Sequence, residues 1–415
     1  MSSSESPNVA LSAKALTLAA YASFVPIGIA TVLLGPMLPT LSARWSLNYS
    51  QAGALFSAQY LSSTLAVALS GLLVSRWGFR FAMKAGLLLM SAALGLLLAG
   101  PKTMGILCIA ASGFGMGLAV PAANLLVAEV NPGRRSATLN LLNFCWSAGA
   151  VACPFLVAVA AKSHHIPLFL ALLAGFSLLM LIGIAAMPKY IVEPATVKIV
   201  GQNIAHPIIR WNDGTMLALA ALFFLYVGVE NAFGGWVASY AKSLGNLTPA
   251  VALMTPSFFY AALMLGRWLA PLLLRLSDEI RLVQLGLLVA CAGMAGLVLS
   301  HGLRGVAVSV CLAGLGLSYV YPITISLLSQ EFGPASTRIG SVMFTMSNIG
   351  GGVLPWVVGA SSNRVGTLKA GLAVPLIGCA AMYVLYLRKW KGAPPVEMAV
   401  SEAAENRSAA SKLII

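Results

Sequence analysis

Charge is what this chain lacks. Of 415 residues only 11 are Asp or Glu, and all charged residues together make up 9%. A water-soluble enzyme or binding module of this length cannot cover its surface with so few. The phosphate-cradling run GxxxxGK[ST] is absent, so ATP-driven transport within this chain is not expected. No hydrolase constellation of nucleophile, base and orienting acid is found. The six cysteines (Cys108, Cys145, Cys153, Cys291, Cys311, Cys379) fall inside apolar runs without metal-ligand spacing, and read as small packing residues. His164 and His165 stand together in SHHIP without partners, and no metal or cofactor is assigned to them. The N-terminus, MSSSESPNVALSAK, has no basic stretch followed by a short apolar core and a cleavage site, so it reads as a polar tail.

What the chain has in abundance is apolar surface. Hydrophobic residues make up 59% of it, and the mean hydropathy is +0.90. Apolar runs of about 20 residues, the length that crosses a bilayer core as a helix, recur along the chain. A transmembrane barrel would show short alternating segments instead. The fold class expected is an all-α membrane protein with twelve transmembrane helices. The spans are placed at 15–40, 52–75, 82–100, 104–130, 137–161, 166–188, 214–241, 251–275, 281–300, 305–330, 338–360 and 368–388. They group into an N-terminal tail at 1–14, a six-helix bundle at 15–188, a polar linker at 189–213, a second bundle at 214–390 and a tail at 391–415. That last segment is rich in Ala, Ser and Glu and is expected to be disordered.

The formal charge of +14 suggests nucleic acid at first sight. Topology explains it better, because the basic residues collect in alternate loops. Arg76, Arg80, Lys84, Arg134, Arg135, Arg275 and Arg281 fall on one side, with few on the other. The bias puts both termini in the cytoplasm of a multi-pass protein of the cell (inner) membrane. The partners expected are the lipid bilayer, a small-molecule substrate and H+ or Na+, with no nucleic acid, and a monomeric chain.

The halves resemble each other. Residues 121–154 read PAANLLVAEVNPGRRSATLNLLNFCWSAGAVACP and residues 322–355 read PITISLLSQEFGPASTRIGSVMFTMSNIGGGVLP. Each carries Pro (Pro121, Pro322), then Glu (Glu129, Glu331), Pro (Pro132, Pro334), Asn (Asn143, Asn348), Gly (Gly149, Gly350) and Pro (Pro154, Pro355). The bundles are therefore expected to be pseudo-symmetric, with a substrate site at the midplane between them, and Pro322, after SYVY, is expected to kink its helix and free a carbonyl toward the cavity.

The loop GLLVSRWGFRFAMK, from Gly71 to Lys84, resembles the loop signature of the major facilitator superfamily. Gly71, Arg76, Gly78, Arg80 and Lys84 fit it, while Ser75 stands where the family usually has Asp. The segments LYVGVENAFGGWVASYA and GFGMGLAVPAANLLVAEVNPGRRSATLNLL resemble the fucose–proton symporter family. That family includes bacterial hexose symporters and animal sodium-dependent glucose transporter-like proteins. The resemblance implies cation-coupled uptake of a monosaccharide. Some members place an acid in helix 1; LTLAAYASFVPIGIATVLLGPMLPTL has none, so a two-acid scheme does not carry over.

Glu230, in LYVGVENAFGGW, is the acid deepest in a span. A bare carboxylate there is costly unless it is protonated or given a cation. It is the coupling-ion candidate, against the blander reading of an acid satisfied by neighbouring helices. Arg267, in MLGRWLAP, is the base well inside a span, about 12 Å from a helix end. It is either a substrate-anion site, which would make an organic-anion carrier, or a snorkelling base. A direct Glu230–Arg267 pair is left open, because Glu230 falls a couple of turns further out.

Sugar sites use flat apolar faces and amide, hydroxyl or indole groups. The candidates are Gln59, Tyr60, Asn124, Asn143, Trp146, Asn231, Trp236, Tyr260, Tyr319, Tyr321 and Asn348. Each amide is either a ligand or glue between helices, and Trp236 is either a site residue or part of an interfacial belt. A cytoplasmic gate is expected from Glu129 with Arg76 or Arg80, and from Glu331 with Arg275 or Arg281, pairs that part when the inside opens. The alternatives to sugar symport are a proton-driven drug or metabolite exporter and, from another class, a non-transporting sensor on a transporter fold.

Overall fold

The computed structural model describes residues 7–131, 134–187, 214–332 and 336–390. The linker at 189–213, the tail at 391–415, residues 1–6, and Pro132 and Pro334 of the repeat lie outside the described residues.

Among the described residues, 12 helices are long and apolar enough to cross a membrane. The first span is built from α1 (Pro7–Val32) and α2 (Leu34–Trp45). Then follow α3 (Tyr49–Trp77), α4 (Phe79–Leu96), α5 (Lys102–Val130), α6 (Arg135–Lys162) and α7 (Ile166–Ala186), which complete the N bundle. The C bundle holds α8 (Gly214–Ser243), α9 (Pro249–Leu273), α10 (Glu279–Leu299), α11 (Leu303–Leu317) with α12 (Val320–Phe332), α13 (Ser336–Val365), and α14 (Leu368–Gly371) with α15 (Ala373–Tyr386). Long leucine and tryptophan side chains such as Trp268, Leu276 and Leu299 stay exposed, as a surface facing hydrocarbon allows.

Three placed spans are interrupted: 15–40 and 368–388, expected to be continuous, the latter restarting at Leu372, and 305–330, where a kink at Pro322 is expected. The helix placed at 15–40 begins at Pro7 and breaks at Leu33. Pro36 lacks the N–H that would bond Val32, so the helix restarts there. The span at 305–330 breaks at Ser318 and Tyr319, where Pro322 removes the donor for the Ser318 carbonyl. Pro26 and Pro121, by contrast, sit inside unbroken helices.

Small residues set the helix spacing inside each bundle, as they do where lipid gives no hydrophobic drive to association. In the N bundle Gly86 of α4 and Gly115 of α5 each lie against the other's carbonyl; in the C bundle Gly286 of α10 and Gly316 of α11 do the same. Gly149 of α6 rests on the carbonyl of Val25, and Gly350 of α13 on that of Phe224. The repeat in the sequence is thus a repeat in packing.

The bundles meet by the same symmetry. Ser57 Oγ of α3 donates to the Gly352 carbonyl of α13 at 2.8 Å, and Ser257 Oγ of α9 donates to the Val151 carbonyl of α6 at 2.9 Å. Gly35 of α2 touches Gly235 of α8 backbone to backbone. These contacts lie toward the side opposite the loops of Arg76, Arg80, Arg275 and Arg281. We term that the far side and the other the basic side. No comparable packing joins α5 to α12 or α13 on the basic side, among the described residues. There Leu125, Leu141 and Phe144 of the N bundle and Phe344 of the C bundle remain exposed. The far side is shut and the basic side is open. Within the basic-side loop, Gly78 takes φ +79°, a conformation that favours glycine and turns α3 into α4.

Candidate functional site

Glu230 stands about 24 Å along α8, near the middle of the helix. Only 8% of it is exposed. Its nearest charge is Arg267 of α9, with Nη2 4.0 Å from Oε2. The pair left open by residue depths is therefore formed. The guanidinium sits on a long stem that reaches up the helix from a Cα placed lower. The geometry is loose, at the outer limit of an ion pair, and the Arg267 side chain keeps 28% of its surface accessible. Nη2 also donates to Tyr226 Oη at 3.1 Å, while Nε is buried with no hydrogen-bond partner among the described residues.

Aromatic rings close the surroundings. Tyr226, one turn before Glu230, stacks on Tyr321 of α12 with centroids 5.2 Å apart and planes at 26°. Tyr321 sits just past the break between α11 and α12, so the interrupted helix delivers this ring to the centre. Tyr60 of α3 crosses from the other bundle and donates to Asn231 Oδ1, while Asn231 Nδ2 bonds the Val227 carbonyl at 2.8 Å. Tyr260 of α9 packs its hydroxyl against Gly234, and Tyr60 packs its ring against Gly351. One acid, one base, four phenols and an amide thus share a small volume where the bundles meet. Such a set can hydrogen-bond sugar hydroxyls, hold a carboxylate, and exchange a proton.

Trp236 belongs to the closure rather than to an interfacial belt. It is 1% exposed, donates from Nε1 to the Pro355 carbonyl at 2.9 Å and lies against Phe56 and Tyr49 of the N bundle. In the N bundle, Trp146 Nε1 donates to Thr31 Oγ1 at 3.3 Å and Gln59 Nε2 donates to the Thr31 carbonyl at 3.2 Å. Asn124 and Asn143 each bond the carbonyl one turn back in their own helix, at Val120 and Leu139. They are therefore not glue between helices, and their carbonyl oxygens accept nothing from described residues. Asn348 is half-buried and Tyr319 is 6% exposed. A small cavity lies elsewhere, beside the break at Leu33, and Gln59 and Ser112 are its polar lining. It contains no charge, and we assign it no solute.

The expected gate partners are apart. Among the described residues the ion pairs are Glu230–Arg267 and Asp278–Arg281, so Glu129 meets neither Arg76 nor Arg80, and Glu331 meets neither Arg275 nor Arg281. Glu129 Oε2 is buried and has no hydrogen-bond partner among the described residues. Arg76 lies over Trp77 with 5.7 Å to the ring centroid, and Arg80 caps α7 through the Ile184 and Met187 carbonyls at 2.5 and 2.7 Å. Arg281 folds back onto Asp278 at 3.1 Å, and Arg275 is exposed.

Two residues at the centre escaped the sequence reading. Tyr226 carried a usable signal, since it lies four residues before Glu230 and so one turn away on the same face. Thr31 carried none; only the fold shows that Gln59 and Trp146 converge on it.

The family model described as Major Facilitator Superfamily matches residues 20–392. A TsgA homolog of Erwinia tasmaniensis is 25% identical over 345 residues, covering 81% of this chain and 84% of that protein. Among solved structures, a D-xylose–proton symporter superposes with a TM-score of 0.76 at 18% identity, covering 92% of this chain and 98% of that one. The fucose–proton symporter of E. coli superposes with a TM-score of 0.58 at 19% identity, covering 89% and 97%. These likenesses extend over both bundles and establish the fold.

Proposed function

The chain belongs to the major facilitator superfamily, so it is a multi-pass membrane transporter and not an enzyme, and we propose that it moves a monosaccharide by proton symport with alternating access. The observation that carries this reading is the Glu230–Arg267 pair at the meeting place of the bundles. A carboxylate that alternates between a cation partner and a bound proton links proton movement to solute movement. Arg267 also favours H+ over Na+, since a fixed positive charge beside the carboxylate repels a bound metal cation but not a carboxyl group already neutralised. The phenols of Tyr60, Tyr226, Tyr260 and Tyr321 supply ring faces and hydroxyls for a pyranose, with Asn231 and Asn348 as amide ligands.

The positive-inside bias assigns the basic side to the cytoplasm of the inner membrane, which makes the described conformation inward-open. Trp146, Asn124 and Asn143 then face the solute from the N bundle as it arrives or leaves, with Gln59 behind them holding the Thr31 carbonyl. In the outward-open state the basic ends come together, and Glu129 meets Arg76 or Arg80 while Ser57–Gly352 and Ser257–Val151 part.

The test is purified protein in liposomes, assayed for counterflow across a panel of radiolabelled hexoses and lactate, then for accumulation under an imposed pH gradient or an imposed Na+ gradient. A hexose should exchange, and the pH gradient alone should concentrate it. Accumulation under Na+ alone would overturn the proton assignment, and exchange of lactate without any sugar would overturn the sugar assignment.

A further inference from the structure

We infer that the preferred substrate is an acidic monosaccharide, a sugar carrying a carboxylate, which binds Arg267 when Glu230 takes up its proton. The inference rests on the proton-symport reading above and names the substrate class of the same site.

The argument is one of charge balance in a place with little water. Glu230 and Arg267 together are neutral, and each would be costly alone. If a neutral sugar binds and a proton joins Glu230, the guanidinium is left without a counter-ion. Leaving one buried partner uncompensated is the expensive way to break an ion pair. If the solute itself carries a carboxylate, the sum stays at zero: the proton neutralises Glu230 as the substrate anion replaces it on Arg267.

The geometry is arranged for such an exchange. The pair is at 4.0 Å rather than in a close bidentate contact, so Glu230 does not occupy the guanidinium's fork. Nε is buried and bonds nothing among the described residues, which leaves an unused donor in the fork that a carboxylate fits. Tyr226 holds the other end of the guanidinium through Nη2 and stacks on Tyr321, so Arg267 stays in place when Glu230 releases it. The other titratable groups within reach of Glu230 are the phenols of Tyr60, Tyr260 and Tyr321, none of them cationic, and they cannot take over the balance.

The cycle moves one proton and one anion together. The proton from the far-side solution bonds to a Glu230 oxygen, the substrate carboxylate takes its place on Arg267, and both leave on the basic side as the original pair re-forms. No net charge crosses.

The experiment uses full-length protein in liposomes with galacturonate or glucuronate as probe and galactose or glucose as the neutral comparison, all radiolabelled. A pH gradient should concentrate the hexuronate, and a potassium–valinomycin potential of either sign should leave its rate unchanged. The neutral hexose should compete at least tenfold more weakly. Arg267→Gln should lower hexuronate uptake at least tenfold, and Arg267→Lys should restore part of it, which a folding defect would not permit. Neutral hexose that accumulates and responds to the potential, while hexuronates neither accumulate nor compete, would overturn this inference and leave proton-coupled sugar transport standing. Failure of both sugars to accumulate or exchange would overturn the two together. Undiminished hexuronate uptake by Arg267→Gln would overturn the inference even where the parent behaves as described.

Discussion

In packing, the N and C bundles are close copies. Gly86 meets Gly115 as Gly286 meets Gly316, and Ser57 reaches Gly352 as Ser257 reaches Val151. Tyr60 and Tyr260 stand at matching positions and flank the centre from opposite bundles. At that centre the copies diverge. Where the C bundle has Glu230 and Asn231, the N bundle has Ala30 and Thr31; where the C bundle has Arg267, the N bundle has Val67. The breaks are exchanged too, since the first span of the N bundle is interrupted at Leu33 while α8 is whole, and α5 is whole while its counterpart splits at Ser318. Duplicated backbone contacts let the bundles rock as a matched pair, and only one needs to carry titratable chemistry. Buried charge is costly in a membrane, so confining it to one side of the cavity halves that cost.

The comparison breaks most visibly at the charged centre. Glu230→Gln should lower gradient-driven accumulation by at least about tenfold while exchange stays within about threefold of the parent, the pattern of lost coupling with binding kept. Paired accumulation and counterflow assays check it. The matching change in the N bundle, Ala30→Gln, touches no charge and should leave coupling intact.

The next effect is on closure. Gly35→Val pushes a side chain into the backbone of Gly234 and Gly235, and Gly235→Val pushes one into the Phe56 ring; both wedge the bundles apart, and the same loss is expected from each. The far side should fail to shut, transport should drop by about tenfold, and folding should lose about 1–3 kcal/mol. Accessibility of a cysteine placed at Ser57 reads the opening directly. Unequal outcomes would show that one bundle dominates the seal.

The prolines give a smaller contrast. Pro322→Ala should let α11 and α12 join and draw Tyr321 away from Tyr226, slowing transport by several-fold. Pro121→Ala, in a helix already continuous, should change it little. The smallest effect is expected at Asn143: its amide nitrogen is held by its own helix, so Asn143→Ala should alter exchange by less than about threefold, against a larger loss for Asn231→Ala.

Much of this was legible in the chain. Run lengths gave twelve spans because a bilayer fixes the length of an apolar helix. Pro121 and Pro322 marked the repeat, and Glu230 was conspicuous as an acid in oil. The kink at Pro322 was legible but the break at Leu33 was not: Pro26, Pro36 and Pro121 look alike in sequence, and tertiary packing decides which of those helices stays whole. The Glu230–Arg267 contact was hidden because residue counting locates Cα atoms, not the reach of a guanidinium. That Asn124 and Asn143 each bond their own helix was not legible either, because composition does not reveal such a bond.

The central claim is that Glu230 exchanges the coupled proton, and counting protons tests it most directly. Purified protein in weakly buffered detergent solution is mixed with saturating substrate while a pH electrode follows the bulk. The parent should take up about one proton per substrate bound, and Glu230→Gln should take up none while binding the same amount of substrate. Equal proton uptake by both would contradict the account.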